Sequence, residues 1–416
     1  MNKKNYLLIL LLAMTAVASQ AQKYLGGDIS LLTKYEENKA LYYEKNGAKI
    51  TDVIQFLKVQ GMNSMRLRLF VDPTKAPADH KAEGVWQDLD YVKALGKRIK
   101  DAGLHFLLDF HYSDTWTDPG KHATPEAWKS LTTTQLAEMM YSYTKECLET
   151  LIEGGAQPDA IQVGNELNLG QLWDSGKTWP TDPSSQKMSN FISCINNAVK
   201  ACRDVCPQAK VVFHVAMNYR SKGNSNNNDQ ARNWASLLKT KGVDYDIFGL
   251  SYYPYYHGAL SELETLITAL GKSIPEKKIQ LVEVGYPNAW YPSNNQFDYT
   301  STYPATEDGQ RSFTKDLITL LNKYPQVNGL YWWYPEANGN YFSSSWYNMG
   351  LWNNSNHRAL KALYELRAFM GDPSAIHTQR ADNRLSVADR YNLQGQRVGD
   401  NFRGVVIAYG NKMIAK

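Results

Sequence analysis

Short apolar runs alternate with longer segments of helical periodicity along most of the chain. Each run is short enough for a single strand and is rich in β-branched or aromatic residues. The predicted strands are residues 24–30, 64–70, 105–110, 160–164, 211–215, 247–251, 279–284 and 329–334. Because long amphipathic segments separate them, these strands are expected to pair in parallel.

The segments between the strands carry apolar residues at helical spacing. Residues 88–102 place Leu89, Val92, Leu95 and Ile99 on one face, and Gly103 follows as a C-terminal stop. The same pattern predicts helices at 134–152, 186–205, 229–241, 309–323 and 358–370. Eight strands that alternate with helices predict an α/β fold, the (β/α)8 TIM barrel, rather than an open sheet.

The two ends of the chain differ from this pattern. Lys3 and Lys4 precede an apolar run over residues 6–17, and Ser19-Gln20-Ala21 follows it. This order is typical of a secretory signal peptide at residues 1–21, cleaved after Ala21. We therefore expect export to the periplasm, the cell surface or the medium. No later run reaches the length of about 18 apolar residues that a membrane span needs, so no membrane span is expected.

The C-terminal end predicts a separate β segment. Residues 22–371 are assigned to a catalytic barrel, and residues 372–416 to a linker and a short C-terminal β segment. Apolar and polar residues alternate from residue 390, with glycines at the turns. The segment NLQGQRV and the run GVVIAYGNKMIAK resemble the short C-terminal β segments of exported Bacteroidetes proteins. The alternative is a small β flap that packs against the barrel.

Charge and aromatic content narrow the class of ligand. The net charge is only +4 with no basic cluster, which argues against nucleic acid as a partner. Aromatic residues make up 12% of the chain. They fill a core, or they bind a polysaccharide, because the apolar face of a pyranose ring packs on Tyr and Trp. Trp86 and Trp173 lie in predicted loops and are candidate outer sugar platforms. A monomer is expected.

Four cysteines leave two possibilities open. Cys194 and Cys202 lie on one predicted helix, about 12 Å apart along its axis, which is too far for a disulfide. Cys147 lies on the preceding helix and could pair with a cysteine of the next one. Buried free thiols are the alternative.

Two glutamates stand where a barrel carries its chemistry, at the carboxyl ends of strands. Glu166 follows predicted strand four, and Glu283 ends predicted strand seven among Leu281, Val282 and Val284. Burying a carboxylate among apolar side chains costs roughly several kcal/mol unless the site pairs or uses it. Strands four and seven face each other across the mouth, so the two carboxyls can act together on a glycosidic bond.

Polar neighbours of these glutamates are candidate binding residues. Asn165 could donate to a sugar 2-hydroxyl. Arg66 and Arg68 share one face of strand two. One of them could keep ionised the carboxylate of the pair that acts as nucleophile. We favour Arg68, which is nearer the carboxyl end, and leave a structural ion pair to Arg66. Tyr252 or Tyr253 could hydrogen-bond the nucleophile, and the sequence does not decide which one faces inward.

Six segments together resemble the family 53 glycoside hydrolases, the endo-β-1,4-galactanases. They are GGDIS, GMNSMRLRLFVDP, LLDFHYSDTWTDPGKHATPEAW, IQVGNELNLGQLW, FGLSYYPYYHG and VEVGYP. The resemblance implies a retaining hydrolase with Glu166 as acid/base and Glu283 as nucleophile. The sugar-lining residues that it implies are Asp109, His111, Asp114, Trp116, Asn165 and Trp333.

The same resemblance bears on cofactors. The chemistry of the family requires no metal, so no catalytic metal is expected. Bacterial members can carry a structural calcium in the loop after strand seven. Here that loop offers Asn294, Asn295 and Asp298, which do not form a convincing ligand set, because Asn and Asp are also ordinary turn residues. A structural calcium therefore remains an open possibility.

Two other functions are weighed against this one. A second retaining endo-glycanase of the same clan, acting on β-mannan or β-glucan, would share both glutamates. A non-catalytic carbohydrate-binding barrel would have no use for a glutamate in an apolar strand, so Glu166 and Glu283 argue against it.

Overall fold

A computed structural model describes most of the chain. The described residues are 22–178, 182–218, 230–290, 295–339, 341–342 and 345–371, together with the strands 390–392, 397–398, 404–408 and 411–415. The predicted signal peptide at residues 1–21 and the polar part of the predicted linker lie outside them. The chain divides into two compact units, Met1–Asp372 and Pro373–Lys416.

The larger unit contains a closed barrel of parallel strands in the order β1-β8-β7-β6-β5-β4-β3-β2. Its strands are β1 (Tyr24–Asp28), β2 (Ser64–Leu69), β3 (His105–Phe110), β4 (Ala160–Val163), β5 (Lys210–Ala216), β6 (Ile247–Tyr252), β7 (Lys278–Val284) and β8 (Val327–Trp333). Every predicted strand is present, and the predicted TIM barrel is confirmed.

Helices surround the barrel between successive strands. They are α1 (Val53–Val59), α2 (Leu89–Asp101), α3 (Thr133–Glu153), α4 (Gln186–Val205), α5 (Gln230–Lys241), α6 (Leu260–Ser273), α7 (Glu307–Leu321) and α8 (Lys361–Glu365), which continues as a 3-10 turn, Leu366–Met370. Six of them were predicted, whereas α1 and α6 were missed. Thr132 and Gln135 form a capping box that fixes the start of α3.

The barrel interior has an apolar layer with a polar layer above it. The apolar layer consists of Leu107, Ala160, Val212, Ile247, Val282 and Tyr331. Two residues further along their strands, Asp109, Gln162 and His214 are also fully buried. Because side chains alternate along a strand, these polar groups point into the barrel as well, one level closer to the mouth. The fold therefore places a buried polar network directly beneath the site.

An irregularity in β7 changes this alternation at one position. In the pairing with β6, Leu250 and Ser251 are opposite Leu281 and Glu283, so one residue of β7 is extra. In a regular strand, Val282 in the interior would turn Glu283 outward. The bulge lets both side chains face inward, a role that bulges often have next to active sites.

The remaining features concern cysteines and helices. All four cysteines, Cys147, Cys194, Cys202 and Cys206, are buried free thiols, which decides between the two alternatives above. In the part of the chain that the structure describes, no helix has the length and apolar character needed to cross a membrane.

The smaller unit contains an antiparallel sheet, as predicted. It is formed by β9 (Arg390–Asn392), β10 (Arg397–Val398), β11 (Gly404–Ala408) and β12 (Asn411–Ala415), in the order β10-β9-β11-β12.

Candidate active site

A cavity of about 380 Å³ opens at the carboxyl ends of the strands. Seven of the predicted site residues line it: His111, Trp116, Asn165, Glu166, Tyr253, Glu283 and Trp333. They come from β3, β4, β6, β7, β8 and the segments that follow these strands, so the closed barrel brings together residues that are far apart in the sequence. Both predicted catalytic carboxyls are among them.

Glu283 is held from two sides. Its Oε1 accepts a hydrogen bond from Nη2 of Arg66 at 2.9 Å, and its Oε2 accepts one from the Tyr253 hydroxyl at 3.1 Å. Burial raises the pKa of Glu283 to about 7, while Arg66 and the Tyr253 hydroxyl act in the opposite direction. A carboxylate fixed by two donors has its geometry set before a substrate arrives.

Arg66, rather than Arg68, is the arginine that pairs with this carboxylate. Arg66 is fully buried and also donates to Asp28 at 2.7 Å and to Asp109 at 2.8 Å. These surrounding carboxylates raise the pKa of Arg66 above its ordinary value. The preference for Arg68 was therefore wrong: nearer the strand end, Arg68 donates to Asp28 and lies against the rings of Trp116 and Trp333 instead.

Glu166 lies just beyond β4 in a left-handed backbone conformation, with φ 47° and ψ 56°. Such a conformation costs a residue other than glycine about 1–2 kcal/mol, so its surroundings must hold it. The backbone N–H of Glu166 donates to Nδ1 of His214 at 3.2 Å, and Nε2 of His122 donates to its carbonyl oxygen at 3.2 Å. These contacts direct the side chain into the cavity.

The side chain of Glu166 has surroundings different from those of Glu283. Burial and the charge of Glu283 raise the pKa of Glu166 well above its ordinary value, and a hydrogen bond from Ser251 lowers it in part. Because Nδ1 of His214 accepts a bond, its Nε2 carries the proton and donates to Ser251 Oγ at 2.8 Å. The Ser251 hydroxyl hydrogen is then directed to Glu166.

The two carboxyls therefore lose their protons in a definite order as the pH rises. Glu283 faces an arginine and a phenol that favour its charged form. Burial and the charge on Glu283 raise the pKa of Glu166 further, so Glu166 retains its proton after Glu283 has lost its own. A protonated acid and an ionised carboxylate in one cavity form the pair that splits a glycosidic bond.

Asn165 and His111 form the adjacent wall. The Asn165 side-chain oxygen accepts from Arg66 at 3.0 Å, and its amide donates to the Thr117 carbonyl at 2.8 Å. His111 Nδ1 lies 2.8 Å from the Thr117 hydroxyl, and burial lowers the pKa of His111, which keeps the ring neutral. The amide of Asn165 is thus oriented at the cavity wall that also contains Glu166 and Glu283.

Two tryptophan rings line the cavity beside these polar groups. The rings of Trp116 and Trp333 lie 6.4 Å apart between centroids. The Arg68 guanidinium lies 4.7 Å from the Trp116 ring centroid and 4.9 Å from that of Trp333. Arg68 therefore supports the aromatic wall instead of contacting the carboxyl pair.

Three further predicted site residues do not line the cavity. Asp109 is fully buried beneath it, where it pairs with Arg66. Asp114 uses both carboxylate oxygens to accept backbone N–H bonds from Asp72 and Glu126, so it closes a loop. Tyr252 faces outward, and its hydroxyl donates to the Gly258 carbonyl. It is Tyr253 that reaches Glu283.

The cavity also contains residues that the sequence did not single out. They are Glu83, Thr117, Asp118, Pro119, Lys121, Ala216, Asn218, Tyr256, His257, Gln296, Tyr334 and Trp346. Thr117, Asp118 and Lys121 belong to the quoted strand-three segment, which was a signal for them. Tyr334 directly follows β8, so its position was a signal as well. Gln296 and Trp346 lie in long loops, where sequence gives little guidance.

The described residues show no cluster of three or more His, Cys, Asp or Glu side chains placed to hold a metal ion. Of the loop residues considered for calcium, Asn294 lies outside the described residues. Asp298 accepts the backbone N–H of Thr300, which is a turn-forming contact.

Known proteins match this chain over the whole barrel. The sequence profile of glycosyl hydrolase family 53 matches residues 24–366. The arabinogalactan endo-beta-1,4-galactanase of Cellvibrio japonicus is 32% identical over 343 residues, which cover 78% of this chain and 84% of that protein. The probable arabinogalactan endo-beta-1,4-galactanase A of Neosartorya fischeri is 30% identical over 328 residues, or 77% and 86%.

A solved structure of a family 53 protein has a similar fold. The family 53 catalytic domain of Ignisphaera aggregans superposes with a TM-score of 0.73 at 30% sequence identity, covering 85% of this chain and 98% of that domain.

Proposed function

The chain belongs to glycosyl hydrolase family 53, and from that membership we infer that it is a retaining endo-β-1,4-galactanase. Its substrate is the β-1,4-linked galactan of type I arabinogalactan. The observation that carries the catalytic assignment is the contrast between the two glutamates: Arg66 and Tyr253 donate hydrogen bonds to Glu283, whereas burial and the charge of Glu283 hold the pKa of Glu166 well above its ordinary value. We assign Glu283 as the nucleophile and Glu166 as the acid/base.

The reaction proceeds by two displacements. A Glu283 carboxylate oxygen attacks the anomeric carbon while the bond to the leaving oxygen breaks, and Glu166 gives its proton to that oxygen. Water then attacks the glycosyl-enzyme ester, Glu166 takes a proton from the water, and the Glu283 carboxylate departs. Arg66 and Tyr253 hold the carboxylate in both steps, and Asn165 is positioned to donate to the sugar 2-hydroxyl.

The substrate is tested by comparing polysaccharides. We expect hydrolysis of linear β-1,4-galactan, with no release of reducing ends from β-mannan or carboxymethyl cellulose. Proton NMR should show the β-anomer as the first product, because two displacements retain configuration. Turnover of mannan or cellulose in place of galactan would assign the chain to another endo-glycanase. Binding of galactan without any turnover would indicate a carbohydrate-binding barrel.

The dependence of kcat/KM on pH should be bell-shaped. As the pH falls through the pKa of Glu283, about 7, the nucleophile gains a proton and activity is lost. As the pH rises through the higher pKa of Glu166, the acid loses its proton and activity falls again.

Ser251→Ala tests which carboxyl sets the alkaline limb. The hydrogen bond from Ser251 lowers the pKa of Glu166, so its removal should move the alkaline limb to higher pH and leave the acid limb in place. Ser142→Ala is the matched control, because the Ser142 hydroxyl is exposed on α3 and bonds only within that helix. A shift of the acid limb instead would reverse the two roles.

We also propose that the enzyme is exported by the segment 1–21, acts as a monomer and requires no metal. A polymeric substrate supports export. N-terminal sequencing of exported protein, which should begin at Gln22, tests the first point. Light scattering tests the second, and activity after exhaustive dialysis against EDTA tests the third.

A further inference from the structure

A second depression lies on the same end of the barrel as the catalytic cavity. Its lining includes Lys34, Glu37, Lys81, Trp86 and Tyr341. Trp86 is 41% exposed and Tyr341 is 39% exposed, which is unusual for large aromatic side chains in a protein that buries most of them. Exposed apolar surface framed by polar groups is a common mark of a binding site.

The depression adjoins the catalytic cavity along two loops. In the loop between β2 and α2, Glu83 lines the cavity, whereas Lys81 and Trp86 line the depression. In the loop after β8, Trp346 lines the cavity and Tyr341 lines the depression. A polymer that leaves the cavity between these loops would pass over the second aromatic surface.

The backbone around Trp86 is fixed by its two neighbours in the sequence. Its neighbours Val85 and Gln87 are both fully buried. The Gln87 amide donates to the Ser30 carbonyl at 3.0 Å, and the Gln87 carbonyl accepts the Phe70 N–H at 2.9 Å. The indole is therefore held at the surface by contacts on both sides, and little ordering is required of this backbone when a ligand binds.

The chemistry around the ring suits a galactosyl unit. The axial 4-hydroxyl of galactose leaves one ring face rich in C–H groups, which packs on an aromatic plane. Polar groups stand beside Trp86: Nζ of Lys34 lies 4.9 Å from a Trp86 ring centroid and bonds Glu37 at 2.7 Å. The Lys34 ammonium lies over the ring, which nevertheless stays largely exposed, and this ammonium and the Glu37 carboxylate can bond the sugar hydroxyls.

We propose that Trp86 and Tyr341 form an outer binding site for a galactosyl unit of the polymer, separate from the units at the cleaved bond. This proposal rests on the galactanase function inferred above. Trp173, the other candidate platform, lines neither the catalytic cavity nor the second depression.

The test compares a long and a short substrate with Trp86→Ala, Tyr341→Ala and the double variant. We expect the double variant to raise KM for long-chain β-1,4-galactan about fivefold or more, which corresponds to roughly 1 kcal/mol of lost contact. For galactotriose, whose units are taken up around the cleaved bond, kcat/KM should stay at the wild-type value. Trp290→Ala is the matched control, because Trp290 is 46% exposed but lines neither the catalytic cavity nor the second depression.

Binding without turnover separates this proposal from the function on which it rests. In a Glu283→Gln background, galactan in a native gel should retard the protein, and Trp86→Ala with Tyr341→Ala should weaken that retardation. Unchanged KM and unchanged retardation would overturn the outer site, as would an equal loss on galactotriose. Failure of the wild-type enzyme to cleave galactan would instead overturn the galactanase function.

Discussion

Glu283→Ala should lower kcat on β-1,4-galactan about 10⁴-fold or more, the scale on which deleting a nucleophile acts in enzymes that use covalent catalysis. The variant removes the atom that forms the glycosyl-enzyme bond, and it leaves Arg66 and Tyr253 without the carboxylate that they hold. Steady-state kinetics with purified protein measures the loss, and a circular dichroism melt confirms that the barrel is folded.

An added anion identifies the missing role. The truncated side chain leaves space beneath the anomeric carbon, where azide can attack an aryl β-galactobioside in a single displacement. The product should be the α-glycosyl azide, because one displacement inverts the configuration. Activity within tenfold of the wild type, or a β-configured azide, would remove Glu283 from the nucleophile role.

Glu166→Ala should lower kcat on galactan by about 10²–10⁴-fold, the usual contribution of a general acid. Its effect should depend on the leaving group, because a 2,4-dinitrophenolate departs without a proton whereas a sugar alkoxide does not. We therefore expect the glycosylation step on the dinitrophenyl substrate to proceed at close to the wild-type rate, seen as a burst of dinitrophenolate.

Azide also distinguishes this variant. It replaces the water that attacks the glycosyl-enzyme, so the product should be the β-glycosyl azide, formed by two displacements. Glu166→Gln keeps the volume of the side chain and should show the same dependence on the leaving group. An equal loss on galactan and on the dinitrophenyl substrate would indicate that Glu166 acts on the fold of the loop after β4, where its backbone is left-handed.

The barrel could be predicted because its signals are local. Strands of a parallel barrel are buried on both faces, so they appear in the sequence as continuous apolar runs. The helix α6 was missed although Leu263, Leu266, Ile267 and Leu270 are buried at helical spacing. Its signal was therefore present in the sequence. The short α1 offers fewer residues on which to detect a period.

The site was only partly predictable because its geometry depends on register. Position along the strand favoured Arg68, whereas the closed barrel directs Arg66 to Glu283. The choice between Tyr252 and Tyr253 depended on which of them faces inward past the end of β6. The inward position of Glu283 depended on the bulge in β7, which the sequence does not reveal. Asp114 is a residue type that can bind a sugar hydroxyl, but both of its carboxylate oxygens accept backbone N–H bonds within its loop.

The buried thiols have a consequence for how the protein can be produced. Burial raises the pKa of Cys147 and of Cys194 to about 12, and that of Cys206 to about 11. A thiol that stays protonated and out of contact with solvent neither forms disulfides readily nor reacts with alkylating agents. The protein thus carries no disulfide whose formation would depend on an oxidising compartment. Its barrel can mature in a reducing cytosol, without an oxidase or a disulfide isomerase.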